Sequence, residues 1–196
     1  RKSESMVYVI VCVCAAYAWA IHLSVGFKMR TITLCLVLGA FSCLTNSARS
    51  DDIPEGEIYS YQEEDGVIGE MEIHFPKDHD VATELVPGII MFHGGGWGGG
   101  KRDQFRYLCH YFAKRGLVAA TVSYRLATKA DNGEGSRKRV CITDAKSAIR
   151  WYKQNAEKLG IDSQRIIAGG GSAGGHVSLL ATTNPELNDP HDDRSY

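Results

Sequence analysis

Hydrophobic positions in the body of the chain form short runs separated by polar segments. In the segment GEMEIHF, apolar residues at 71, 73 and 75 alternate with Glu72 and His74, which predicts a half-buried strand. A similar piece at residues 58–62 predicts a second strand beside it. Two continuous apolar runs, residues 88–92 and 117–124, predict strands that are buried on both faces. The pattern therefore predicts a sheet whose inner strands are covered from both sides.

Helical spacing of apolar residues appears between these strands. Residues 103–115 predict a helix that ends at Gly116, and residues 140–159 predict a long amphipathic helix that ends at Gly160. We interpret Asp144 as a carboxylate near the start of that helix, where the helix dipole favours a negative charge. A short strand at residues 165–168 leads into a turn and a helix at residues 173–183. Strands and helices that alternate in this way predict an α/β fold with a mostly parallel sheet.

Composition narrows the classes of function. The chain has 196 residues and a formal net charge of -1, so it is long enough for one domain and has no basic excess. We therefore expect no nucleic-acid partner. No Cys/His cluster has the spacing of metal ligands, and we expect neither a metal nor a cofactor.

The first 50 residues contain two apolar runs. Residues 6–27 are long enough to span a bilayer, whereas residues 31–44 are shorter and lie between Met29-Arg30 and a stretch of small polar residues. The second layout is typical of a secretory signal peptide that starts at Met29, with the residues before it as upstream sequence. We predict a leader at residues 1–50 that directs export to the periplasm or the extracellular space. The alternatives are a membrane anchor, through which the chain would contact a membrane, or a lipid on Cys43.

Two of the six cysteines, Cys109 and Cys141, lie in the remaining body, residues 51–196. We favour two buried thiols, since sequence alone does not bring their Cα atoms within disulfide reach.

A glycine-rich turn follows the strand at residues 165–168. Gly170-Gly171-Ser172-Ala173-Gly174 matches the G-x-S-x-G elbow, which presents a nucleophilic serine between a strand and a helix. Small residues are needed at both ends of the motif because the turn is strained and its two arms lie close together.

The same residues also fit the dinucleotide-binding pattern G-x-G-x-x-G, with Asp192 about 20 residues later. The acid of such a site should end a second strand. Asp192 instead follows a polar stretch with two prolines, so we favour the serine elbow.

A second glycine motif, His93-Gly94-Gly95-Gly96-Trp97, directly follows the strand at residues 88–92. Glycine allows backbone N–H groups to approach a carbonyl oxygen that becomes negative during acyl transfer. We expect His93 to shape this loop through a hydrogen bond. For Trp97 two roles are equally favoured: it lines an acyl pocket or it covers the loop.

With these two motifs in this order, residues 59–183 resemble the α/β-hydrolase serine esterases of the branch with an HGGG loop. That branch includes hormone-sensitive-lipase-like carboxylesterases, kynurenine-formamidase-like enzymes and bacterial acetyl esterases. The resemblance implies a three-layer α/β-hydrolase sandwich, present here up to the helix after the elbow. It implies that Ser172 is the nucleophile. The backbone donors of the oxyanion hole would be those of Gly95, Gly96 and Ala173, and the supporting residues would be His93, Gly94, Gly170 and Gly174.

In this family the triad acid and histidine follow the serine in chain order. We interpret His176 as structural, because it lies one helical turn after Ser172, and we expect no triad role for His191, Asp189, Asp192 or Asp193. The chain is therefore expected to hold the nucleophile and oxyanion hole without the base, and to show negligible esterase activity by itself. The predicted substrate is a small-molecule or carbohydrate ester. The alternatives to an esterase are an amidase or formamidase of the same fold and a non-catalytic remnant.

Overall fold

One mixed sheet organises the computed structural model of the chain, which describes residues 7–12, 53–64, 67–127 and 136–187. Within these residues the sheet has six strands in the spatial order 1-6-4-5-3-2. They are β1 (Val7–Cys12), β2 (Glu57–Glu64), β3 (Val67–His74), β4 (Val86–Phe92), β5 (Val118–Val122) and β6 (Ile161–Gly171). Strands β1, β6, β4 and β5 are parallel neighbours, whereas β3 pairs antiparallel with β5 and β2 antiparallel with β3.

Helices cover both faces of this sheet. The described helices are α1 (Arg106–Ala113), α2 (Ser136–Gln154) and α3 (Ala173–Thr183). Residues of α2 and α3 join the larger core cluster with β3, β4 and β5, and Tyr152 of α2 is fully buried there. Helix α1 packs on the other face, where Cys109 contacts a smaller cluster that includes Ile89 and Met91. The α/β fold predicted from the alternating pattern is confirmed, as is the three-layer arrangement that the family resemblance implies.

Two elements extend further than their apolar patterns predict. Helix α2 begins at Ser136, four residues before the predicted start, and β6 begins at Ile161, before the predicted residues 165–168. Most of the missed residues are polar: Lys138, Arg139 and Gln164 are exposed, whereas Ile161 is a single buried apolar residue. Hydrophobic periodicity detects only the helical turns and strand positions that face the core. It therefore does not detect the solvated ends of α2 and β6.

Strand β1 lies within the segment predicted as a leader. Val7 pairs with Ile166 and Cys12 with Gly171, so this strand runs parallel to β6 along its outer edge. The interpretation of residues 1–50 as a leader does not account for this strand. Met29 and the apolar run that follows it lie outside the described residues, so the signal peptide stays a prediction. No helix in the described part of the chain is both long and apolar enough to cross a membrane.

The two body cysteines form no disulfide with each other and are buried on opposite faces of the sheet. Cys109 lies under α1 and Cys141 under α2, so the sheet itself separates the two thiols. Burial raises the pKa of Cys109, which keeps its sulfur in the neutral, unreactive form.

The interpretation of Asp144 as a helix-dipole carboxylate is wrong. Because α2 begins at Ser136, Asp144 lies in its third turn, beyond the reach of the terminal dipole. Its buried carboxylate instead accepts hydrogen bonds from the Arg125 guanidinium at 2.6 Å and from the Arg125 backbone N–H at 2.8 Å. This charged pair connects α2 to the segment that leaves β5.

A fully buried carboxylate, that of Glu72, lies on β3. It accepts hydrogen bonds from Arg106 Nε at 2.8 Å and Nη2 at 2.9 Å, from His74 Nε2 at 2.9 Å and from the Gly56 N–H at 3.1 Å. Burial alone would raise the pKa of Glu72, but the hydrogen bonds from His74, Arg106 and Gly56 outweigh it and lower the pKa to about 2. The ionised carboxylate therefore ties β3 to α1 and to the segment before β2.

This ion pair predicts acid-sensitive stability. The charge of Glu72 stabilises the fold in full above its ordinary pKa of 4.5, and the contribution is lost as pH falls towards the folded value of about 2. Glu72→Gln removes the buried partner of Arg106, leaves it only the exposed carboxylate of Glu55 at 3.0 Å, and should lower the free energy of unfolding by about 3 kcal/mol near neutral pH. Denaturant unfolding at a series of pH values should show this difference narrowing as pH falls from about 5 to 3.

Glu84→Gln is the matched control because Glu84 is exposed. This control should change stability by less than about 0.5 kcal/mol at any pH. A pH-independent effect of Glu72→Gln would contradict the assignment of a charged Glu72 in the folded protein.

Candidate active site

The two glycine motifs meet because β4 and β6 are parallel neighbours. Phe92, the last residue of β4, pairs in register with Gly170 near the end of β6. The carboxyl ends of both strands therefore lie at one edge of the sheet, and the loop that starts at His93 lies beside the turn at Ser172. Ligands of open α/β sheets bind at this edge.

Ser172 occupies a strained turn between β6 and α3. Its backbone has φ 51° and ψ -116°, outside the favoured regions for a residue with a side chain, and the residue is exposed. The turn is tight enough that a Cβ on either Gly170 or Gly174 would collide with the carbonyl of Phe92. Glycine at these two positions is therefore a steric requirement of the elbow.

The loop after β4 is held against this elbow. A Cβ on Gly94 would lie 2.9 Å from the carbonyl oxygen of Gly171 and 3.5 Å from the Cβ of Ser172. The next residues, Gly95 and Gly96, have φ values of 128° and 62°, which is the left-handed range that glycine adopts without strain. The loop thus turns its backbone directly beside the serine.

The backbone N–H groups at this edge of the sheet differ in whether they have a hydrogen-bond acceptor. Gly94 donates its N–H to the side-chain oxygen of Gln104 at 2.6 Å, so this donor is already occupied. Among the described residues, no acceptor is found for the N–H groups of Gly95, Gly96 and Ala173. Ala173 is the first residue of α3, where backbone N–H groups lack helical partners and the helix dipole is positive. This edge therefore presents N–H donors suited to a developing negative charge.

His93 lies beneath the loop. It is buried, its Nδ1–H donates to the Gly94 carbonyl at 2.8 Å, and its ring stacks on that of Tyr124 with centroids 4.2 Å apart. The Tyr124 hydroxyl donates to the His93 carbonyl at 2.6 Å. Burial lowers the pKa of His93, so its neutral ring is favoured. The expected loop-shaping hydrogen bond is present, and the supporting role assigned to His93 stays a prediction.

His176 lies one turn into α3, where the sequence placed it, and its Nδ1 accepts a hydrogen bond from the Trp97 indole at 3.3 Å. No histidine or carboxylate of the described residues hydrogen-bonds to the Ser172 hydroxyl. The tail residues that were considered for a triad or a ribose-binding role, Asp189, His191, Asp192 and Asp193, lie outside the described residues.

A family model described as BD-FAE matches residues 71–194, which is more than half of the chain and includes both glycine motifs. The chain belongs to the BD-FAE family. As a BD-FAE member it is also 34% identical over 144 residues to the probable carboxylic ester hydrolase LipM of Mycobacterium tuberculosis, covering 73% of this chain and 30% of LipM. Carboxylesterase NlhH of the same species is 34% identical over 101 residues, covering 51% of this chain and 30% of NlhH.

Solved structures agree with the BD-FAE assignment. The apo form of Thermogutta terrifontis esterase 2 superposes with a TM-score of 0.65 at 40% identity, covering 72% of this chain and 51% of the esterase. The α/β-hydrolase fold predicted from the elbow and the HGGG loop is thereby confirmed, as is the kinship with carboxylic ester hydrolases. The chain spans about half the length of this esterase and about a third of the two mycobacterial relatives.

Sequence reasoning missed two residues that shape this edge in the BD-FAE chain. Gln104 is an exposed polar residue ten positions after Gly94, with no motif to mark it. Tyr124 ends the apolar run 117–124, and that run predicts only a strand residue at this position. Tyr124 lies within residues 59–183, which carry the family resemblance, and that is the signal from which it could have been found.

The elbow geometry predicts a steep cost for any side chain at Gly174. In Gly174→Ala the new Cβ would meet the Phe92 carbonyl, so the turn must open or β4 must shift. We expect a loss of roughly 2 kcal/mol or more in the free energy of unfolding. Thermal unfolding followed by circular dichroism measures this loss.

Gly98→Ala is the control, since a Cβ there would lie no closer than 3.4 Å to the Ala127 carbonyl and Gly98 has no positive φ. It should unfold within a few degrees of the wild-type protein. Equal stability of Gly174→Ala and Gly98→Ala would contradict the tight elbow.

Proposed function

We propose that this chain carries the nucleophile and the oxyanion hole of a serine carboxylic-ester hydrolase. The observation that carries the proposal is the position of exposed Ser172 on a strained turn, between the glycine loop that approaches it at Gly94 and the helix that begins at Ala173. Among the described residues, the N–H groups of Gly95, Gly96 and Ala173 have no acceptor. The esterase names of the similar proteins support the same reaction class.

The reaction follows from this arrangement. The Oγ of Ser172 attacks the acyl carbon, and the carbonyl π electrons move to oxygen, which becomes an oxyanion. The three N–H groups donate hydrogen bonds to that oxygen, and each donor is worth about 3 kcal/mol of transition-state stabilisation. Collapse of the tetrahedral intermediate breaks the bond to the alcohol and leaves an acyl-enzyme, which water then hydrolyses.

Proton transfer needs a base that the described residues do not supply. The serine proton must pass to a base during attack and then to the departing alkoxide. We place this base and its orienting acid after α3 in the chain, in the order serine, acid, histidine that is usual for this fold. Within the described residues, His93 and His176 use their Nδ1 atoms for Gly94 and Trp97.

We further propose a small ester as the substrate, with an acetyl or similar short acyl group on a carbohydrate or another small alcohol. Solved structures of Thermogutta terrifontis esterase 2 are described as propionate-bound and butyrate-bound, which supports a short acyl group. We also propose export, supported by the apolar run and the small polar residues that follow Met29.

Covalent labelling tests the nucleophile. Paraoxon phosphorylates the Thermogutta esterase, and we expect the full-length gene product to gain the same adduct on Ser172, located by mass spectrometry of its peptides. Ser172→Ala should lose the adduct and reduce hydrolysis of p-nitrophenyl butyrate by at least about 10⁴-fold. The 196 residues alone should show negligible turnover, since no base for Ser172 is found among the described residues.

Ser60→Ala serves as the control, because Ser60 is exposed on β2, far along the chain from the elbow. It should keep both the adduct and the turnover. Turnover that survives in Ser172→Ala would overturn the assignment of the nucleophile, and binding of a nicotinamide or flavin dinucleotide without any adduct would favour the dinucleotide-site alternative.

A further inference from the structure

One side-chain contact joins the two segments that carry the proposed oxyanion donors. Trp97 directly follows Gly95 and Gly96, and His176 lies one turn after Ala173. The Trp97 indole Nε1–H donates to His176 Nδ1 at 3.3 Å, and the two rings meet edge-on at 85° with centroids 5.3 Å apart. The loop and the helix therefore share a direct polar contact beside the site.

Trp97 is itself fixed from several directions. Its carbonyl accepts the Ala127 N–H at 2.7 Å and lies 3.7 Å from the Cys141 sulfur. The Lys138 ammonium lies 4.2 Å from the centre of the indole ring, a cation–π geometry. The φ of Trp97 is 65°, a left-handed value that costs a bulky residue free energy. Such strain persists only where surrounding contacts hold the residue, and here they hold it in the orientation that reaches His176.

The direction of the hydrogen bond fixes the state of His176. An indole N–H only donates, so Nδ1 must accept and the imidazole must be neutral, with its proton on Nε2. A second proton on Nδ1 would place two N–H groups against each other and break the contact. The groups around the ring agree with the neutral form: the loop presents the uncharged indole, α2 presents the Lys138 ammonium, and burial together with Lys138 lowers the pKa of His176.

We propose that Trp97 and His176 are a positioning pair, which holds the Gly95–Gly96 loop in register with the helix that begins at Ala173 as long as His176 is neutral. The catalytic consequence rests on the function proposed above, whereas the contact and its dependence on protonation do not. Positioning matters because a displacement of about 1 Å of a catalytic group can cost up to roughly 100-fold in rate.

Nuclear magnetic resonance of the ¹⁵N-labelled chain tests the pair without any need for turnover. Trp97→Phe assigns the Trp97 indole signal among the three tryptophans. On lowering the pH, that signal and the amide signals of Gly95, Gly96 and Ala173 should shift together with one midpoint. His176→Asn offers an acceptor oxygen that does not titrate, so the signals should stay in place, whereas His176→Leu should show the shifted positions at every pH.

His110→Leu is the matched control, since His110 lies on α1 at the opposite face of the sheet. In this variant the Trp97 indole signal and the amide signals of Gly95, Gly96 and Ala173 should shift with pH as they do in the wild-type chain. The proposal would be overturned if the amide signals of Gly95, Gly96 and Ala173 shifted neither on lowering the pH nor in His176→Leu. The contact would then pack the two rings together without positioning the backbone donors.

A second measurement connects the pair to chemistry. In the full-length gene product, the rate of Ser172 phosphorylation by paraoxon should fall at least about tenfold in His176→Leu. His176→Asn should recover most of that rate and lose the part of its acid dependence that His176 causes. Equal rates in His176→Leu and the wild type would overturn the positioning role. Absence of any adduct in the wild type would instead contradict the proposed function. The nuclear magnetic resonance measurement would still show whether Trp97 and His176 act as a positioning pair.

Discussion

The close approach of the Phe92 carbonyl to the elbow is the constraint on which the rest of the site depends. Parallel pairing of β4 with β6 places Phe92 opposite Gly170, and a side chain at Gly170 or Gly174 would occupy the space of that carbonyl. This contact is only possible if the chain turns abruptly after β6, and the abrupt turn forces Ser172 into its unusual backbone conformation. The register of two buried strands therefore determines where the serine and the HGGG loop stand relative to each other.

The other edge of the loop is supported from a distance by buried charge. Glu72 on β3 binds Arg106, the first residue of α1, and the 3-10 turn Arg102–Phe105 immediately before that helix carries Gln104. Gln104 in turn accepts the Gly94 N–H. Because Gln104 takes the first N–H of the glycine series, the loop directs the following N–H groups elsewhere. A carboxylate three strands away from β6 thus contributes to the shape of the serine site through a helix start and one amide.

The sequence was sufficient for those parts of the structure that depend on local pattern. The sheet and the two glycine motifs follow from apolar periodicity and from steric requirements that only glycine meets, whereas the three layers were implied by the family resemblance. The polar residues in the first turns of α2 and near the start of β6 left no such mark, because solvated residues carry no periodic signal. Side-chain partners over long separations were also out of reach. Asp144 was assigned to a helix dipole when it binds Arg125, and the pairing of Trp97 with His176, 79 residues apart, requires the fold to be known.

Three residues other than glycine have positive φ among the described residues, and two of them, Trp97 and Ser172, flank the glycine loop and the elbow. Each such residue costs on the order of 1–3 kcal/mol of folding free energy. Glycine at position 172 would adopt that backbone without strain, so the most stable version of this elbow is one that has lost its hydroxyl. The strain at Ser172 is therefore a stability cost that falls on the one side chain the proposed chemistry requires.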